Sequence, residues 1–110
     1  MTERGEKYLS DIVFAIDLIA VFIKDTASFA EYVKDFKTQS AVERQLVIVG
    51  EAVNQFQKEC PDDQLIYSKQ IIAFRNRIVH AYDSIDHAIV WVILKKHLEL
   101  LREEVKSKQG

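Results

Sequence analysis

Apolar residues recur along this chain at steps of three and four, and nowhere in sustained alternation, which is the pattern of packed helices rather than strands. A first helix is expected from about Lys7 to Lys24, with Leu9, Ile12, Val13, Ile16, Ile19, Ala20 and Ile23 in one stripe. Phe14, Leu18, Val21 and Phe22 form a second stripe beside it, leaving Ser10, Asp11, Asp17 and Lys24 as a narrow polar strip. Such a helix is either central in a bundle or partly covered by another subunit, and a central core helix is the economical reading. Asp25-Thr26 reads as a stop and a new cap ahead of a short helix carrying Phe29, Tyr32, Val33 and Phe36. Ser40-Ala41-Val42-Glu43 fits a capping box, so a third helix is expected to start there and to pack along Val42, Leu46, Val49, Val53 and Phe56. Gly50 falls in the middle of that helix, where glycine costs about 1 kcal/mol relative to alanine; a close approach of another helix is a reason for it.

Pro61, with Asp62 and Asp63, ends the third helix in a turn. A fourth is expected to start near Ser68, and Asp83 or Ser84 to cap a fifth that steps through Trp91, Leu94, Leu98, Leu101 and Val105. Residues 1–6 and 106–110 read as frayed ends. With 110 residues, 48% of them hydrophobic, the chain has material for one core and one domain. The expected fold is an all-α bundle of four to five helices.

Composition narrows the chemistry. Cys60 is the only cysteine and no Cys/His spacing suits zinc, so neither an intrachain disulfide nor a metal site is expected, in keeping with a reducing cytoplasm. The polar N-terminus, and Asp11 and Asp17 inside the first apolar run, exclude a signal peptide or membrane span there. A net charge of −2 excludes coating nucleic acid by bulk electrostatics. Contact with RNA would need a local basic patch, for which Lys69, Arg75, Arg77, Lys95 and Lys96 are available.

One stretch, Phe74 to Tyr82, concentrates polar chemistry: Arg75, Asn76, Arg77, His80 and Tyr82. An arginine suited to a phosphate and an imidazole suited to proton transfer point to phosphodiester chemistry. On a helix, Ile71, Phe74, Ile78 and Ala81 share one face while Arg75, Asn76, Val79 and His80 spread over the opposite arc. Asn76 and His80 are then close enough to touch, Arg75 and Tyr82 lie nearly in line, and Arg75 and His80 stand about 140° apart. One arginine and one histidine make a thin site, because attack by a 2′-hydroxyl wants a base, an acid and charge stabilisation. Two copies facing each other across a symmetric dimer would complete it. On spacing alone, a solvated helix face with surface ion pairs and a histidine at the helix C-terminus is the more economical reading.

The residues Arg75-Asn76-Arg77-Ile78-Val79-His80-Ala81-Tyr82 resemble the Arg-x₄-His-x-Tyr motif of the HEPN superfamily, specifically HepT-like toxins paired with MNT nucleotidyltransferase antitoxins. Tyr8–Ile12 with Ala15-Ile16, Ala41–Arg44 with Ile48–Ala52, and Ile85-Asp86 with Val90-Trp91 extend the likeness over nearly the whole chain. Tyr67, often tryptophan in relatives, and Ala81, often glycine, depart from it. The resemblance implies a HEPN four-to-five-helix bundle, a homodimer, and a metal-independent endoribonuclease needing no cofactor. Arg75 and His80 would be catalytic, Asn76 and Arg77 supporting, and Tyr82 the residue to which the antitoxin transfers AMP. Glu51, which recurs in the family's third helix, would orient Arg75 or Arg77. The alternative is a non-catalytic module that binds nucleotide or RNA, or serves as a partner subunit of a nucleotidyltransferase.

Overall fold

The computed structural model describes all 110 residues, and every regular element is helical. Helix α1 (Glu3–Phe22) starts where the Thr2 hydroxyl accepts from the Gly5 N–H at 3.0 Å, with Glu3 and Glu6 favouring the positive end of the helix dipole. Its buried stripe, Leu9, Ile12, Ala15, Ile16 and Ile19, packs chiefly on α3 (Phe36–Glu59) and also on α6 (Leu98–Gln109). The second stripe is not enclosed: Phe14 and Val21 are each 66% exposed. The reading of α1 as a central core helix is therefore corrected. It is covered along one side, and the chain has no element packed over the Phe14–Val21 edge.

Two expected helix starts move upstream or downstream for a common reason, the presence of a better-placed cap. The short α2 (Phe29–Tyr32) is capped by Ser28, whose hydroxyl accepts from the Glu31 N–H, while Glu31 reaches back to the Ala27 N–H. Thr26, expected as the cap, instead donates its N–H to Ile23 and closes the turn after α1. Helix α3 starts at Phe36 rather than at Ser40, because Asp35 accepts from both the amide (3.0 Å) and the hydroxyl (2.6 Å) of Thr38. Ser40 is thus already inside the helix, and Phe36, expected within the short helix, is the first residue of α3 and 74% exposed. Buried Gln39 donates to the Tyr32 carbonyl at 2.8 Å and ties α3 to α2.

The expected α3 seam of Val42, Leu46, Val49, Val53 and Phe56 is buried throughout. After Cys60 the chain turns, and the turn is clamped by Gln57, which accepts from the Leu65 N–H at 2.7 Å and donates to the Asp63 carbonyl. Helix α4 (Ser68–His80) begins as expected and lies on α3. A single 3₁₀ turn, Tyr82–Ser84, leads to α5 (His87–Val92). Asp86, not Asp83 or Ser84, caps α5, accepting from the Ala88 N–H at 2.9 Å; the other two are spent in the 3₁₀ turn.

The chain runs from α5 into α6 without leaving helical geometry, through a π-helical segment at Ile93–His97. Leu94, Leu98, Leu101 and Val105 are buried as the spacing predicted. The last helix is fastened to α1 by Arg102 to Asp17 (2.8 Å) and Gln109 to Ser10, and to the α3–α4 turn by Lys108 to Asp63 and Glu104 to the Ile66 N–H. One cluster of 19 buried apolar residues draws on every helix. No helix is long and apolar enough to cross a membrane.

Candidate functional site

The site is built on the crossing of α3 and α4, and Gly50 sets how closely they cross. A Cβ at position 50 would lie 2.2 Å from Arg75 Cβ and 2.6 Å from Arg75 Cγ, so the arginine stem occupies the space that any other residue would fill. That is the close approach for which a mid-helix glycine was expected. The stem is held against the α3 backbone, and the guanidinium emerges beside Glu51.

There Arg75 Nη2 pairs with Glu51 Oε2 at 3.1 Å, and Nη1 donates to Asn76 Oδ1 at 3.0 Å. The other Glu51 oxygen accepts from Gln55 Nε2 at 3.0 Å. The Arg75 side chain retains 27% exposure, while its Nε is enclosed and has no hydrogen-bond partner. The group is thus oriented but not sealed, and anions can reach only its outer nitrogens.

His80 closes the last turn of α4 with its side chain exposed, and Tyr82 follows at 75% exposure. Two expected pairings are not found. The Asn76 amide orients the Arg75 guanidinium rather than the imidazole, because an arginine donor one residue away satisfies its oxygen. Nor do Arg75 and Tyr82 share a helical line: Ala81, at φ −143° and ψ 43°, breaks the helix between them. Arg77 turns to the other side of α4, where with Phe74, Ile78, Asp86 and Ile89 it borders a cavity of about 40 Å³ against α5. The structure bonds Asn76 to Arg75, while Arg77, His80 and Tyr82 make no hydrogen bond or ion pair with it.

Of the remaining basic residues, Lys95 lies 5.0 Å from the Trp91 ring centre, a cation–π contact. A cleft of about 670 Å³ opens between α4 and the π segment with α6 and is lined mainly by apolar side chains, among them Tyr67, Phe74 and Leu101. Neither Arg75 nor His80 borders it. No group of three or more His, Cys, Asp or Glu side chains is placed to hold a metal. A carboxylate beside an arginine, an exposed imidazole and an exposed phenol can bind a phosphate, move a proton and accept a transferred group.

Sequence reasoning missed Gln55, which steadies Glu51 from the following turn; its i, i+4 spacing from Glu51 on one helix was the available signal. Glu51 itself was indicated only by resemblance, and the geometry assigns it to Arg75 rather than Arg77.

Residues 12–107 match the model of the family described as Ribonuclease HepT-like. A protein of Thermococcus cleftensis named "Probable ribonuclease HepT" is 33% identical over 106 residues, covering 93% of each chain. A protein of Methanocaldococcus jannaschii provisionally named an RNase is 30% identical over 111 residues, covering 96% of this chain and 98% of its own. Another provisionally named RNase, from Caldanaerobacter subterraneus, is 30% identical over 91% of this chain and 89% of its own. No solved structure matches.

Proposed function

We propose, from the premise that this chain belongs to the Ribonuclease HepT-like family and that ribonuclease is its enzyme class, that it is the metal-independent endoribonuclease toxin of a toxin–antitoxin pair. Arg75 and His80 carry the chemistry. The observation that carries this reading is the state of Arg75: stem locked on Gly50, head aimed by Glu51 and Asn76, outer nitrogens open to an anion. A guanidinium fixed in advance stabilises a phosphorane-like transition state without reorganising as charge develops.

In the reaction, the imidazole of His80 takes the proton of an RNA 2′-hydroxyl, whose oxygen attacks the adjacent phosphorus. The bond to the 5′-oxygen breaks, a 2′,3′-cyclic phosphate forms, and the leaving oxygen collects a proton from a second acid. A single chain offers one histidine at this place. The second acid is the His80 of another copy, brought opposite by a two-fold homodimer that joins both α4 faces into one groove. Exposure of Val79 at 40%, on the same outer arc as His80, supports that face as the contact.

Tyr82 is the off-switch. Its exposed phenol oxygen attacks the α-phosphorus of ATP held by the cognate MNT-type nucleotidyltransferase, pyrophosphate leaves, and the adenylate remains on the tyrosine. Two residues past His80, the added anion competes with RNA for the same groove.

Purified protein incubated with RNA in excess chelator tests the core of this reading. Cleavage is expected from the wild type and is expected to be lost in folded Arg75→Ala and His80→Ala variants. Wild-type rates in both variants overturn it. RNA binding without any cleavage over long incubation favours a non-catalytic module instead, a reading to which the pairing of Arg75 with Glu51 lends some support, since the charge of this arginine is already met by a carboxylate in the free chain.

A further inference from the structure

Helix α4 packs chiefly on α3, and its flank at Tyr67, Gln70 and Phe74 stands off from the π segment and α6. The cleft of about 670 Å³ lies between them. A space of that size falls among small-ligand sites, which run from roughly 300 to 1,000 Å³ and combine apolar walls with a few polar groups. It opens to solvent, since Ile66, Tyr67 and Leu100 along it are 73%, 56% and 57% exposed.

The polar groups narrow what the cleft can hold. Apart from the Tyr67 phenol they are Gln70, His97 and Glu104. Glu104 is already engaged, accepting from the Ile66 N–H at 2.9 Å. Tyr67, Gln70 and His97 are exposed, and their side chains enter no hydrogen bond of the fold. An amide offers a donor beside an acceptor, and a neutral imidazole offers one of each. No lysine or arginine lines the cleft and one carboxylate does, so an anionic head group finds no partner inside it. Cations stand just outside: Lys69 and Lys96 immediately precede Gln70 and His97, are exposed and form no ion pair. An uncharged flat ring with donors and acceptors on its edge, carried on a backbone of phosphates, meets each of these conditions.

We propose that the cleft is a base-binding subsite for single-stranded RNA. One unstacked nucleobase lies against the Tyr67 and Phe74 rings, and the Gln70 amide and His97 imidazole read its edge. Only an unpaired base has both its face and its edge free for such contacts. The inference deepens the ribonuclease reading and rests on it. Phe74 and Arg75 are consecutive on α4, so the cleft and the guanidinium lie on different flanks of one helix, roughly 10–12 Å across. The bound base therefore belongs to a nucleotide flanking the one whose phosphate Arg75 meets, and it fixes where along the strand the cut falls.

The test measures binding of the full-length protein to a labelled abasic spacer strand, which keeps the phosphates and lacks every base, and to the same strand carrying a single base. One base is expected to tighten binding roughly ten- to a hundredfold, the scale of a base–aromatic stack. Tyr67→Ala is expected to abolish that gain and to leave affinity for the bare strand as it was, whereas Tyr67→Trp retains the gain. A base that adds nothing in the wild type, or adds as much in folded Tyr67→Ala, overturns the proposal. Should Tyr67→Ala unfold, Gln70→Ala decides by the same measure: an altered ranking among the natural bases supports the subsite, and an unaltered one overturns it. A wild-type dimer that becomes monomeric in Tyr67→Ala overturns it in favour of an interface between copies. Cleavage of ordinary RNA in chelator is read alongside. Base-dependent binding that needs Tyr67, with no cleavage, supports the subsite and overturns the ribonuclease reading, whereas cleavage by a protein indifferent to the added base overturns the subsite alone.

Discussion

Gly50 and Arg75 share one volume at the α3–α4 crossing, since a Cβ on residue 50 would come within 2.2 Å of Arg75 Cβ. The atoms in conflict are close to the α4 backbone and cannot swing away like a side-chain tip. Two effects then compete in Gly50→Ala. Alanine gains about 1 kcal/mol of helix propensity, while forcing two packed helices apart costs about 1–3 kcal/mol. Overpacking wins, because Ile71 and Ile78 of α4 are carried out of contact with α3 as well. Urea denaturation is expected to show a net loss, with cleavage falling as Arg75 leaves Glu51. A variant more stable than the wild type would show that α4 has room to spare.

The apolar periodicity of α1, α3, α4 and the final helix was legible because burial imposes it residue by residue: Val42, Leu46, Val49, Val53 and Phe56 are all buried. Caps were less legible. Ser40-x-x-Glu43 has the right letters, yet Asp35, five residues earlier, makes two bonds to Thr38 and starts the helix first. Local competition of this kind depends on backbone geometry that a spacing rule does not contain. For the candidate site, the identities of Arg75, His80 and Tyr82 were readable, and the pairing of Arg75 with Glu51 was not readable from spacing. The two residues are 24 apart in sequence and meet only because a glycine lets the helices touch.

The α3 cap yields a pair of substitutions with opposite expectations. Asp35→Ala removes an acceptor from both the amide and the hydroxyl of Thr38 and is expected to lower Tm. Ser40→Ala, within the helix, is expected to change stability by no more than about 0.5 kcal/mol. The hydroxyl and amide of Thr38 hold the Asp35 carboxyl below its ordinary range. A depressed folded-state value means that the contribution is present above the ordinary aspartate range and is lost as pH falls through the folded value. The Tm gap between wild type and Asp35→Ala should therefore close on acidification. A gap in Ser40→Ala as large as that in Asp35→Ala would return the helix start to Ser40.

Tyr82 is 75% exposed in a 3₁₀ turn and its hydroxyl contributes no bond to the fold, so Tyr82→Phe is expected to leave Tm and RNA cleavage unchanged. What it should abolish is the mass increment of adenylate on co-expression with the nucleotidyltransferase. Growth inhibition would then persist in the presence of the partner. An adenylate still found on the Phe variant would place the modification elsewhere, Tyr67 being the next exposed phenol at 56%.

Glu43 lies away from this site, in a half-buried position near His87 and Tyr32. Burial pushes its carboxyl above the ordinary glutamate range, and attraction to His87 only partly offsets the effect. Its charge and that of Asp35 add to burial in raising the Tyr32 phenol, whose oxygen has no hydrogen-bond partner. For a carboxyl raised on folding, the sign is opposite to that of Asp35. As pH climbs from the ordinary glutamate value of about 4.3 toward the folded value, the unfolded chain ionises first and stability is lost, the loss being complete once pH lies above the folded value. Glu43→Gln removes the charge and keeps the volume, so its Tm at pH 7 is expected to exceed that of the wild type. The difference should shrink once the buffer is brought below the ordinary glutamate range. A Gln variant less stable than the wild type at pH 7 would mean that the Glu43 charge is compensated by His87 more strongly than its burial penalises it.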